Sequence, residues 1–176
     1  MIILQIFKYI FENIEKRKIN YLLSGSYALN LYTPPRGTRD IDIVIDLGPS
    51  NLDSFFEIFS EGFYLNKEAI REDIKQKRIF NIIHNETFFK FDFIPKKQDE
   101  YSNEQFHRKK YLKIDGFHAW ALTAEDLIIS KLQWSQQSKS ALQMSDLKEL
   151  LEKENLDKEY LMFWTKKLNL NTFNLF

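Results

Sequence analysis

Between Arg39 and Asp46 the chain reads RDIDIVID, a run in which isoleucines alternate with acids. Successive side chains of a strand point to opposite faces. Ile41, Ile43 and Ile45 therefore share one face, while Asp40, Asp42, Val44 and Asp46 share the other. The pattern predicts a half-buried strand in a sheet with one apolar and one open face. It also poses a problem, because neighbouring carboxylates disfavour each other's charged form. An edge strand facing solvent gives the same letters. So does a strand whose paired acids share one or two Mg²⁺ ions, which take carboxylates, waters and substrate phosphates as ligands.

The rest of the chain supports a mixed sheet. Ile2, Ile3, Ile6, Phe7, Ile10, Phe11 and Ile14 recur at helical spacing and predict an opening amphipathic helix. MIILQIFKYIF lacks a basic leader and a small-residue cleavage site, so it reads as mature helix rather than a signal peptide. A short strand over 21–23 is stopped by Ser24-Gly25-Ser26, and a short helix over 27–32 is closed by Pro34-Pro35. Helices are expected over 51–60 and 67–77. Strands follow over 78–84 and 87–94, joined around Asn85-Glu86, and a loop runs through Pro95 and KKQDE. Strands over 111–114 and 117–122 flank Asp115-Gly116, a strong turn signal. Thr123 and Asp126 form a capping box that opens a helix. Further helices start at Ser138 or Ser140, running to Glu152, and at Asp157, running to Lys167. The expected fold class is α/β (α+β), with residues 1–122 as a sheet-and-helix core and 123–176 as a helical part packed on it.

Composition narrows the chemistry. With 176 residues, 44% of them hydrophobic and sixteen of them Phe, the chain can bury a sizeable core. Twenty-five basic and twenty-five acidic side chains cancel, so no global field draws nucleic acid or membrane. The absence of cysteine excludes thiolate catalysis and cysteine zinc sites, and fits a cytoplasmic protein. No apolar run is long enough for a membrane span.

Three features carry chemistry. A strand ending in Gly25-Ser26 and feeding a helix presents N–H groups and a hydroxyl, an arrangement suited to phosphate oxygens. No Gly-Lys-Ser/Thr follows, which excludes a Walker-type loop. Asp40 and Asp42 are the second feature. The third is Asp92, an acid among phenylalanines in FFKFDFIP, costly to bury unless it is paired or binds metal. Lys90 lies on the same strand face and is its structural alternative. If the Asp92 strand packs beside the Asp40–Asp42 strand, three carboxylates converge, as in-line phosphoryl or nucleotidyl transfer requires. Arg36 and Arg39 precede the acidic strand and suit either substrate phosphates or nearby acids. HRKKYLK (107–113) reads as a solvated basic face, and Trp120, Trp134 and Trp164 as core.

Gly25-Ser26, a spacer of thirteen residues, Asp40-Ile41-Asp42 and a later Phe91-Asp92-Phe93 together resemble the nucleotidyltransferase superfamily typified by polymerase beta. TAEDLIISKL, SDLKELL and residues 157–170 resemble the helices of AbiEii-like minimal nucleotidyltransferases, which include toxins of abortive-infection systems. The resemblance implies that Gly25 and Ser26 hold a triphosphate and that Asp40, Asp42 and Asp92 bind Mg²⁺ or Mn²⁺. It implies that Lys131 touches phosphate or acceptor and that Asp146 sits across the cleft in an orienting role; Arg39, beside the acidic strand, is counted with the nucleotide-binding residues. Read from its helix alone, Asp146 is an ordinary exposed acid and Lys131 a solvated lysine. The implied donor is a nucleoside triphosphate such as ATP, and the acceptor a hydroxyl on an RNA end, a protein or a small molecule. An antitoxin protein is the implied partner. The sequence departs from the family pattern after Leu132, where only Lys139 stands near the usual arginine, and at Ser145, where a basic residue is usual. The alternative is an inactive relative that binds a partner protein or nucleic acid; it has no need for Asp92 beside the Asp40–Asp42 pair.

Overall fold

The computed structural model describes residues 2–138 and 140–176, so Lys139 lies outside the described residues. Along the chain run α1 (Ile2–Lys16), β1 (Tyr21–Ser24), α2 (Gly25–Leu29), β2 (Asp40–Ile45), α3 (Leu52–Ile58), β3 (Phe63–Tyr64), α4 (Lys67–Lys75) and β4 (Phe80–His84). They are followed by β5 (Lys90–Pro95), α5 (Glu100–Arg108), β6 (Lys110–Ile114), β7 (Phe117–Ala121), α6 (Ala124–Gln137), α7 (Ala141–Leu151) and α8 (Lys158–Lys167).

The strands form one seven-stranded sheet in the order β3-β4-β5-β2-β1-β7-β6. β2 pairs with β5 and β1 with β7 in parallel; the other neighbours are antiparallel. Strand alternation sorts the two faces as expected. On one face Ile41, Ile43, Phe91 and Phe93 are completely buried. Phe7, Ile10, Phe11 and Ile14 of α1 and Phe55 of α3 complete that core. Its rings meet mainly edge to face: Phe55 lies 5.1 Å from Phe93, and Phe7 lies 5.6 Å from Phe91. Such contacts add roughly 1 kcal/mol each beyond the area they bury. The opposite face carries Ser24, Asp42, Val44, Asp92 and Ile94. There α6 passes over the sheet, since its Ser130 and Trp134 line the same clefts as Ser24 and Ile94.

The capping residues behave as their types demand. Thr123 Oγ1 accepts from the Asp126 N–H, as a helix N-cap does, and donates to Asp126 Oδ2 at 2.8 Å; the return bond of the expected capping box thus goes to the hydroxyl rather than to the Thr123 N–H. Ser140 and Asp157 cap α7 and α8.

Two elements were not expected from the sequence, and two expectations need correction. The loop through KKQDE leads straight into α5, a helix the sequence reading left unassigned, whose N-cap is Asp99. Its buried residues include Ser102 and Gln105, so apolar periodicity could not reveal it. β3 is a two-residue edge strand with no sequence signature of its own. The β4–β5 connection is longer than Asn85-Glu86: Phe88 N–H donates to His84 O and Phe88 adopts φ 55°, so β5 starts at Lys90 rather than Thr87. Finally, Trp134 is 47% exposed rather than core, because it stands over a cleft.

Candidate functional site

The register of β2 on β5 decides how the acids meet. Asp42 faces Asp92 directly, and Asp40 faces Lys90. Neighbouring strands lie about 4.8 Å apart, so the two aspartates project side by side from the open face. β1 adds Ser24 opposite Asp42 on the other side. The three carboxylates thus come from residues 40, 42 and 92, brought together by a parallel pairing.

Asp42 bears the strain of this arrangement. Its pKa is pushed up to about 6, first by burial and then by the charges of Asp40 and Asp92; Lys131 and Lys90 pull weakly the other way. Asp92 leans on Lys90, whose Nζ lies 2.8 Å from Asp92 Oδ2. That hydrogen bond raises the Lys90 pKa and so keeps the lysine charged. Asp40 Oδ1 accepts from Thr38 Oγ1 at 2.9 Å. Each of these two carboxylates is turned to a neighbour, and among the described residues no three acidic or histidine side chains stand ready to ligate one ion.

Gly25 is at its position for two reasons. Its φ of +62° disfavours any side chain, and a Cβ there would fall 1.7 Å from Asp42 Oδ2 and 2.9 Å from Asp42 Cβ. A new rotamer could move the oxygen but not the Cβ. Gly25 therefore lets α2 start directly against the carboxylate row. Ser24, the residue before α2, makes no side-chain cap, so the first N–H groups of α2 are left to other partners.

A cationic wall faces the row. Arg36 Nη2 donates to Ser26 Oγ and to Asp146 Oδ2, both at 2.8 Å, and its Nε donates to Asp146 Oδ1 at 3.1 Å. Lys131 Nζ donates to the same Asp146 Oδ2 at 2.8 Å. Asp146 is 2% exposed and Lys131 8% exposed, which corrects both solvent-facing readings. Burial alone would raise the Asp146 pKa, but hydrogen bonds from Arg36 and Lys131, with their charges, hold it below the ordinary value. Asn30 braces the Arg36 backbone from both sides, accepting from its N–H and donating to its carbonyl.

Gly25, Ser26, Asp42, Lys131 and Asp146, all singled out in the sequence, line one cleft of about 300 Å³ together with Arg36. Arg39 is exposed and does not line it. Arg36 is the residue that sequence reading undervalued. Its partner in α7 lies 110 positions away, and no local signal marks the pair.

No protein-family model and no curated protein matches the sequence. Solved structures do match the fold. The antibiotic-resistance factor ANT(2'')-Ia aligns over 94% of this chain and 90% of its own at 12% identity, with a TM-score of 0.61. A candidate nucleotidyltransferase from Thermotoga maritima covers 93% and 92% at 18% identity, with a TM-score of 0.54. The lincosamide antibiotic adenylyltransferase LnuA, solved with lincomycin bound, covers 84% and 96% at 15% identity, with a TM-score of 0.50. The mixed seven-stranded sheet, flanked by eight helices among the described residues, has the nucleotidyltransferase-like fold.

Proposed function

We propose that this protein is a nucleotidyltransferase that moves a nucleoside monophosphate from a nucleoside triphosphate to an acceptor hydroxyl. The observation that carries the reading is the register that seats Asp42 opposite Asp92, two residues from Asp40, beside a glycine no other residue could replace. The likeness to adenylyltransferase folds supports it.

The residues suit a hard divalent cation such as Mg²⁺ or Mn²⁺. The donor set is all carboxylate: Asp42 and Asp92 face each other in register, with Asp40 two residues away on the same face. Asp40, Asp42 and Asp92 would hold it, Asp92 after release from Lys90; when bound it supplies electrostatic stabilisation of the charge that builds on the phosphoryl oxygens. The chain's own groups do the rest. Ser26, the first N–H groups of α2, Arg36 and Lys131 bind the β- and γ-phosphates, Arg36 taking the place expected of Arg39. The acceptor oxygen bonds to the α-phosphorus as the bridging oxygen to the β-phosphorus departs with pyrophosphate. The hydroxyl proton passes to Asp92. Asp146 fixes Arg36 and Lys131 as a fork, so their charges need no reorganisation during the reaction.

Placement among AbiEii-like proteins, and a toxin role with an antitoxin partner, rest on the sequence resemblance of α6, α7 and residues 157–170; growth arrest on expression, relieved by Asp42→Asn, is the expected sign. The biochemical test offers α-labelled triphosphates and Mg²⁺ to cellular RNA, protein and small-molecule pools. Label should enter one pool and fall about 100-fold or more in Asp42→Asn and Asp92→Asn. Transfer that survives both substitutions refutes these roles. Nucleotide binding without transfer to any pool favours the inactive binding module.

A further inference from the structure

The open face does not end at the carboxylate row. Two residues further along the same strands, Val44 follows Asp42 and Ile94 follows Asp92, and strand alternation keeps all four on one face. Val44, Ile94 and the partly exposed Ile79 line a second cavity of about 300 Å³. It shares Ser24, Ile94, Ser130 and Trp134 with the cleft, so the two spaces adjoin. Its volume is at the lower end of small-molecule sites. The half-exposed indole of Trp134 stands over it, and the buried amide of Gln105 faces it from α5.

Its charge is equally specific. Among the described residues one carboxylate lines it, Asp99, whose Oδ1 accepts from the Ser102 N–H at 2.7 Å as the cap of α5. Lys77 and Lys97 also line it, and their ammonium groups make no hydrogen bond or ion pair among the described residues. A polycationic amino sugar would meet two unpaired lysines against one carboxylate.

Resting on the nucleotidyl-transfer reading, we propose that this cavity seats the acceptor, and that the acceptor is a small hydroxyl-bearing molecule with a flat apolar face and no net positive charge. The reaction geometry agrees. The departing pyrophosphate is drawn to Arg36 and Lys131, on the α2–α6 side. In-line attack then brings the hydroxyl from beyond the carboxylate row, from the Val44 and Ile94 side, where the cavity lies.

The test uses the full chain with an α-labelled triphosphate, Mg²⁺ and three acceptor probes: adenosine, adenosine 5′-monophosphate and tobramycin. Adenosine or its monophosphate should be labelled, and tobramycin at least tenfold less. Ile79→Trp, which adds bulk to the cavity lining, should cut transfer at least tenfold while the triphosphate Kd, measured by equilibrium dialysis, changes less than twofold. Lys77→Glu/Lys97→Glu, confined to exposed side chains, should lower monophosphate labelling relative to adenosine at least tenfold. A tenfold loss of triphosphate binding in Ile79→Trp would mean that the cavity holds the donor's nucleoside, and overturns the proposal. So does preferential labelling of tobramycin, or labelling of none of the probes. If label still enters a cellular pool in that last case, the acceptor class alone fails and the transferase reading stands.

Discussion

Asp42, partly buried, and Asp126, fully buried, are both carboxylates pushed above their usual pKa by burial, and their surroundings could hardly differ more. Asp126 is fully buried, yet it accepts from Tyr160 Oη at 2.7 Å, Tyr101 Oη at 3.1 Å and Thr123 Oγ1 at 2.8 Å, with Arg108 3.5 Å away. Asp42 accepts no hydrogen bond among the described residues and faces two further acids. The first has what a structural carboxylate needs; the second lacks it. A fold retains an unsatisfied carboxylate at a cost in stability, and such costs concentrate where a ligand supplies what is missing. Asp146 is the third case, held low by two cations.

The largest effect that tests this contrast is expected at Asp146. Asp146→Ala strands Arg36 and Lys131 without their acceptor and should cost about 3 kcal/mol in urea denaturation at pH 7. Because its folded pKa is depressed, its contribution is present above the unfolded carboxylate pKa and fades as pH falls through the folded one. Asp42→Asn should act in the opposite direction. A rise from 3.8 to about 6 means that the charged form costs on the order of 3 kcal/mol. The amide variant should therefore be more stable by up to that amount at pH 7, in chelator. The gain should shrink as pH falls from about 6 towards 4, where the wild type takes up the proton its unfolded chain still lacks. A destabilised Asp42→Asn would break the comparison.

Gly25→Ala should cost about 2 kcal/mol, from its left-handed φ and the clash with Asp42, and should abolish transfer. Tyr160→Phe, which removes one of three hydroxyls from Asp126, should cost about 1.5 kcal/mol and leave transfer intact. Equal losses of transfer in these two variants would erase the distinction between the two carboxylates.

The sequence made much of this legible because the decisive strands alternate strictly. RDIDIV and FKFDF showed which side chains share a face, and T-x-x-D showed where α6 begins. The pairing of β2 with β5 in register was not legible, since nothing in either strand names its neighbour. Asp146 and Lys131 read as solvent-facing because their burial depends on Arg36, which approaches from another part of the chain. α5 escaped for a related reason. Its inward face is built from Tyr101, Ser102 and Gln105, and polar residues leave no hydrophobic period to detect.

The Asp146 fork also bears on biosynthesis. Asp40, Asp42 and Asp92 are all translated before residue 100, but the carboxylate that aligns Arg36 with Lys131 comes only with α7. On a ribosome, a nascent chain would expose its acidic row long before it could clamp a phosphate. The proposed phosphate clamp would therefore form late, only once α7 docks, and a chain released before α7 would lack it.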